Sequence, residues 1–229
     1  MNLKSENKFS FTRESDDIIE KIINVLSITC EICEPYTSFH QKNVTRISIA
    51  IAEELGHENE FIQVLTMAAM FHDIGKIAIP CDILNKTSVL TDDEYELIKT
   101  HPSIGWRILK SINLPFPVAE AAIQHHERMD GSGYPFALSG EKIFIHARII
   151  AVADVFDAMY SNRPYRPSLG FDAAFNEIWE GKGKLYDSDV VDAFSSIIYK
   201  GSINSLLGIK MWSLGEVNCA KEAVSFYIN

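Results

Sequence analysis

The sequence predicts an all-α fold, and three observations carry that expectation. Nearly every long segment repeats its apolar residues with a helical period, no segment shows the strict alternation of a strand, and no Asn-Gly hairpin signal interrupts the pattern. Taken in order, helices are expected over 16–33, where IIEKIINVLSITCEIC is apolar at helical spacing, and over 42–55, closed by Gly56. A third covers 59–73, with Gly75 as its stop, and a fourth 92–99, opened by a capping box from Thr91 to Glu94. Pro102 suits the first turn of a helix over 102–110, and an alanine-rich segment predicts 116–127. Helical periods then continue through 143–160, 171–179 and 188–199. Residues 1–15 read as a flexible tail, 16–199 as one main domain, and 200–229 as a C-terminal extension in which Gly201, Gly208 and Gly215 break short apolar pieces. The helix over 16–33 suits either a connector to an upstream module or a homodimer contact.

With 47% hydrophobic and 23% charged residues over 229 positions, the composition is that of an ordinary folded chain with a large core. Its first residues are polar and lack the apolar core of a secretory signal, and no run of about 18 apolar residues suggests a membrane segment. A cytoplasmic protein is therefore expected. Cys30, Cys33, Cys81 and Cys219 are too few and too scattered for a disulfide framework, which fits a reducing compartment. Cys30 and Cys33 carry half-site spacing, but without a second pair they read as small core residues. A net charge of −10 argues against DNA as a partner and leaves room for a small phosphorylated ligand, which needs only a few local cations.

Of seven histidines, four fall in one series: His72-Asp73, His101, and His125-His126, with Asp154 further on. Adjacent residues on a helix diverge by about 100°, so His72 and Asp73 reach one ion only near a helix end. An aspartate there can give one oxygen to each of two ions. Taken alone, His72 is equally well a buried histidine bonded to its neighbour. Two adjacent imidazoles such as His125 and His126 at an apolar helix end are harder to bury, because each neutral ring has a donor and an acceptor to satisfy. His101 alone would more often be a surface histidine. Asp154, inside IIAVADVFDAMY, must be paired or bound to a cation if buried, and Asp157 three residues on reads as a structural partner or a surface acid. His40 completes the set. One ion would then be held by His40, His72, Asp73 and Asp154, and the other by Asp73, His101, His125 and His126. Nitrogen and oxygen donors of this mix suit iron, manganese, cobalt, nickel or zinc and argue against a closed cysteine-rich zinc site. His57 and His146 are assigned to surface or packing roles.

The stretches His72-Asp73-Ile74-Gly75-Lys76, His101-Pro102, His125 to Pro135 and Asp154 to Arg166 resemble the HD-GYP subgroup of the HD phosphohydrolases, over about Tyr36 to Phe194. The resemblance implies a helical bundle with an inserted Gly133-Tyr134-Pro135 loop that hydrolyses cyclic di-GMP to pGpG or GMP with a bi- or trinuclear metal centre, iron or manganese being the leading metals. It implies Asp73 and Lys76 as catalytic residues, with Lys76 beside the reacting phosphate. Arg163 and Arg166 are similar to residues that hold the ligand's phosphates, and Gly133, Tyr134 and Pro135 to a loop that lines the pocket and meets diguanylate cyclase-type partners. Members with a third metal carry a glutamate where this chain has Tyr36, so two ions are expected. Phe39, Asn43 and Cys81 also depart from the family pattern. A slow or non-catalytic module that binds cyclic di-GMP or a diguanylate cyclase, and an HD phosphohydrolase for another nucleotide, are the alternatives.

Overall fold

The computed structural model describes residues 37–112, 114–163 and 166–201. The expected tail 1–15, the helix over 16–33 with Cys30 and Cys33, Tyr36, and residues 202–229 of the extension lie outside the described residues. Among the described residues there are nine α-helices and no strand: α1 Thr37–Glu54, α2 Asn59–Phe71, α3 Cys81–Leu84, α4 Asp92–Ile98, α5 His101–Ser111, α6 Val118–Gln124, α7 Ile145–Tyr160, α8 Phe171–Glu180 and α9 Ser188–Tyr199. Short 3₁₀ turns at Ile74–Ala78 and Gly140–Lys142 complete the order. Among the described residues no helix is long and apolar enough to cross a membrane.

Helix α7 is the axis of the bundle. It packs against α1, α2, α6, α8 and α9. Its apolar residues point in every direction, with Ala147, Ile149, Ile150, Val152, Ala153 and Phe156 all buried, as a helix enclosed on all sides requires. Around it the main core joins Val44, Ile47 and Ile51 of α1 to Leu65 and Ala68 of α2 and to Phe175, Ile178, Phe194 and Ile198 of α8 and α9. A second, smaller cluster of Phe71, Ile74, Leu109, Ala119 and Ala122 sits where α2, α5 and α6 meet. The helix ends that the site uses converge there.

Several local expectations hold. Thr91 and Glu94 form the full capping box of α4, Pro102 lies in the first turn of α5, and Gly56 takes φ +77 after α1. Gly75 is a different case: α2 ends before it, at Phe71 with His72 as its cap, and Gly75 lies inside the 3₁₀ turn. A Cβ there would stand 1.9 Å from the carbonyl oxygen of His101 and 2.6 Å from the amide nitrogen of Gly105. Glycine is needed for this close approach of the turn to α5, not to stop a helix. Cys81 is disulfide-bonded, and the other three cysteines lie outside the described residues.

Candidate metal centre

Each histidine of the cluster comes from a helix end. His72 caps α2, His101 begins α5 directly after α4, His125 caps α6 with His126 next, and His40 lies in the first turn of α1. Asp154 alone comes from mid-helix, on the buried face of α7. Helix ends are where a side chain can turn back on the last carbonyls left without intrahelical partners. Three rings do this in the same way: His72 Nδ1 lies 2.7 Å from Ala69 O, His101 Nδ1 2.7 Å from Ile98 O, and His125 Nδ1 2.6 Å from Ala122 O. A carbonyl only accepts, so each Nδ1 is the protonated nitrogen and each Nε2 carries the free lone pair.

Those Nε2 atoms converge on Asp73, and they divide between its two oxygens. Oδ1 lies 3.2 Å from His101 Nε2 and 3.8 Å from His125 Nε2, which are themselves 3.5 Å apart. Oδ2 lies 3.4 Å from His72 Nε2 and 3.9 Å from His40 Nε2. Asp154 Oδ1 closes this second group, 3.0 Å from His40 Nε2 and 4.0 Å from His72 Nε2. Metal-to-donor bonds of about 2.0–2.2 Å place neighbouring donors about 3.0–3.5 Å apart, close to these separations. The candidate donor groups are Asp73 with His101, His125 and His126, His40 with His72 and Asp73, and His72 with His125 and Asp154, all ligand atoms in a group lying within 4.8 Å of one another, so that His72, Asp73 and His125 are each shared between groups. His72 Nε2 is buried and has no hydrogen-bond partner in the protein, which a cation would supply. The cluster can hold divalent metal ions, and its residues fit that role in type, spacing and orphaned valence.

The electrostatics prepare the same donors. Burial, then the neighbouring His72 and His101, pushes the His125 imidazole down to about 3, and burial with His125 beside it drives His126 well below its usual range. Burial alone would raise Asp73, but Lys76 and the adjoining imidazoles of His72 and His101 hold it well below the ordinary carboxylate range. Asp154 is held well below it too, against its burial, by the hydrogen bond and charge of His40. Neutral imidazoles and ionised carboxylates are the forms that bind metals. His40 differs: burial disfavours its charge, yet hydrogen bonds to Asp154 and Asp157 raise it to about 9.

The remaining expected residues divide. Lys76 Nζ lies 2.6 Å from Asp73 Oδ2, at the edge of the cluster, and Arg163 Nη2 lies 3.4 Å from His40 Nδ1. Arg166 points elsewhere. Its guanidinium donates to Ala158 O at 2.7 Å and Pro167 O at 3.1 Å, and the two arginines face each other across a backbone-paired turn. Gly133 packs flat on the backbone of residues 126–128, where a Cβ would come within 2.4 Å of His126 O. Tyr134 stacks on His126 at 4.7 Å, followed by Pro135. The loop therefore braces the second histidine pair.

Two acids matter more than the sequence indicated. Glu127 is buried and accepts the amides of Phe136 at 2.8 Å and Leu138 at 2.9 Å, which secures that loop. Asp157 is the structural partner of the two roles considered for it, fully buried behind His40. Only Asp157 carried a usable signal, a carboxylate in an otherwise apolar helical stretch that must be satisfied by something; Glu127, among polar neighbours past the end of α6, carried none.

A profile of the HD domain family matches residues 20–190. The chain is 44% identical over 186 residues to a cyclic di-GMP phosphodiesterase of Thermotoga maritima, covering 80% of this chain and 50% of the relative. It is 45% identical over 159 residues to the cyclic di-GMP phosphodiesterase response regulator RpfG of Xanthomonas campestris, covering 69% and 42%. The chain thus spans about half the length of the curated relatives it matches. In fold it is similar to a cyclic GMP-AMP specific phosphodiesterase of Vibrio cholerae, with a TM-score of 0.63 at 19% identity over 88% of this chain and 52% of the other.

Proposed function

We propose, from the premise that this chain belongs to the HD domain family, that it is a metal-dependent phosphodiesterase that hydrolyses cyclic di-GMP to pGpG or GMP in the cytoplasm. The observation that carries the reading is the division of Asp73, one oxygen toward His101 and His125 and the other toward His72 and His40. That arrangement suits two divalent ions, iron or manganese first, with nickel, cobalt and zinc as the other candidates. When bound, such a pair neutralises phosphate charge and supplies a hydroxide nucleophile near neutral pH.

The chain's own residues would do the rest. Asp73 is kept ionised and aimed by Lys76, whose ammonium at 2.6 Å also offers a donor to a phosphate oxygen at the edge of the cluster. Arg163, beside His40, would take a second phosphate oxygen. Arg166 would have to release Ala158 O and Pro167 O to join it. Gly133, Tyr134 and Pro135 would line the pocket by holding His126 in place, and the exposed Phe136 beside them is the part of this loop open to a diguanylate cyclase-type protein. The expected homodimer contact falls in 16–33, outside the described residues.

The test is metal analysis of anaerobically prepared protein coupled to turnover of cyclic di-GMP, 3′3′-cGAMP and linear controls. Two ions per chain with cyclic di-GMP cleaved fastest, and both lost in His125→Ala, is the expected result. Two ions with a different preferred nucleotide would move the substrate assignment, and tight binding of cyclic di-GMP without cleavage would favour the scaffold module.

A further inference from the structure

His40 is held differently from the other clustered imidazoles. His72, His101 and His125 lean on backbone carbonyls, whereas His40 Nδ1 faces a side-chain carboxylate, Asp157 Oδ2, at 2.6 Å. Asp157 is itself clamped: Asn43 Nδ2 donates to its Oδ1 at 2.8 Å and Ser161 Oγ donates to the same oxygen at 2.9 Å. The partners come from α1 and the end of α7, with Asn43 and Asp157 114 positions apart in the chain. An ionised carboxylate only accepts, so Nδ1 keeps a proton for the 2.6 Å contact, and Nε2, 3.0 Å from Asp154 Oδ1, is the nitrogen that a cation between them would take in place of a proton. Arg163 Nη2, 3.4 Å from that Nδ1, then meets a donor and contributes charge instead of a hydrogen bond.

We propose that Asp157 is a positioning residue that makes the two metal positions unequal, by fixing and enriching His40 at the position shared with His72 and Asp154. This rests on the metal-pair reading above. The donor group of His101, His125 and His126 has one carboxylate, Asp73, with Asp154 reaching only His125 of the three, and among its described contacts no acid behind a ring. The other has Asp73 and Asp154 in front and Asp157 behind, so it presents more negative charge and a more basic imidazole to its ion. Burying a carboxylate for packing alone would be unfavourable, since an apolar side chain would fill the space without desolvating a charge. Three donors converging on this acid, one of them a metal-facing ring, give it a use.

The experiment is stepwise Mn(II) binding to the full chain by calorimetry with metal counting, the steps assigned with His40→Ala and His126→Ala. In Asp157→Asn we expect the step lost in His40→Ala to weaken by about 10–100-fold while the step lost in His126→Ala stays within about 2-fold of wild type. Asn43→Ala and Ser161→Ala, which remove one clamping donor each, should weaken the same step by a smaller factor, and they keep the test available if Asp157→Asn does not fold. Two unchanged steps in all three variants, or equal weakening of both steps, would overturn the proposal. A wild-type chain with fewer than two steps would overturn the metal pair itself.

Discussion

Two groups of histidines share this fold and are treated in opposite ways. In the candidate metal cluster the Nδ1 atoms of His72, His101 and His125 each lean on a backbone carbonyl and that of His40 on Asp157, and the Nε2 atoms gather on Asp73 and Asp154. Between α1, α2 and α7 a second group stacks flat: His57 on Phe61 at 3.8 Å, and Phe61 on His146 at 3.9 Å. His146 is 7% exposed, as buried as many core residues, and neither of its ring nitrogens has a partner. Burial is therefore common to both groups. What separates a ligand set from packing is that the first has each ring's orientation fixed by one nitrogen so that the other converges with its neighbours on a carboxylate.

The largest expected effect comes from breaking the convergence. Asp73→Asn or His125→Ala should lower phosphodiesterase turnover by more than about 100-fold, beyond the about 10–100-fold range of changes behind the ligands, with metal content falling in parallel. Turnover with full metal content in His125→Ala would remove that histidine from the ligand set. Next is the geometry that brings the helix ends together. Gly75→Ala drives a methyl into His101 O at 1.9 Å and should cost about 3 kcal/mol in chemical denaturation, with loss of metal before loss of helix by circular dichroism. A variant as stable as wild type would mean the turn has room to retreat from α5.

Removing the brace should cost somewhat less. Glu127→Ala strands the amides of Phe136 and Leu138 and is expected to destabilise the protein by about 2 kcal/mol, with the loop around Tyr134 exchanging amide hydrogens faster than α7. The smallest effect is on the stack. His146→Phe keeps the ring contact, removes two unsatisfied nitrogens, and should stabilise the fold by about 1 kcal/mol without changing metal content. Acid titration sharpens this. Burial, then His57, pushes His146 down from 6.5 to about 4, so between those values the unfolded chain binds the proton that the folded chain refuses. Its share of stability is complete above about pH 6.5 and is lost as pH falls toward 4. In His146→Phe the decline of stability over that window should be shallower by this share, and an unchanged slope would show that His146 is charged without penalty in the fold.

Much of the site could be read from the chain, and its limits are instructive. His125, His126 and Asp154 stood out because their surroundings are apolar and helical, so each polar group needed a partner that its neighbours do not offer, whereas His101 alone read as a surface histidine and His40 entered only as the member that completes the set. The capping box at Thr91 was legible because it acts within one turn. Gly75 was misread as a helix stop because the local pattern is the same whether the glycine ends a helix or admits another backbone. Arg163 and Arg166 were given one shared role, but they sit on a paired turn just beyond α7, where Ser161 already has an extended backbone, and Arg166 is held by backbone carbonyls. Asp157 and Glu127 gave no sign of their partners, which lie 117 and 9–11 residues away in the chain.

The chain by itself determined the helical class, the order of the helices and the inventory of donors, because periodicity, caps and the need to satisfy buried polar groups act over a few residues. Only the tertiary structure decided which oxygen of Asp73 faces which histidines, that His40 leans on Asp157, and that His146 leans on nothing. Those are distances between segments far apart in sequence, set when α1, α2, α5 and α6 pack around α7, and no local pattern encodes a separation that exists only after the core has closed.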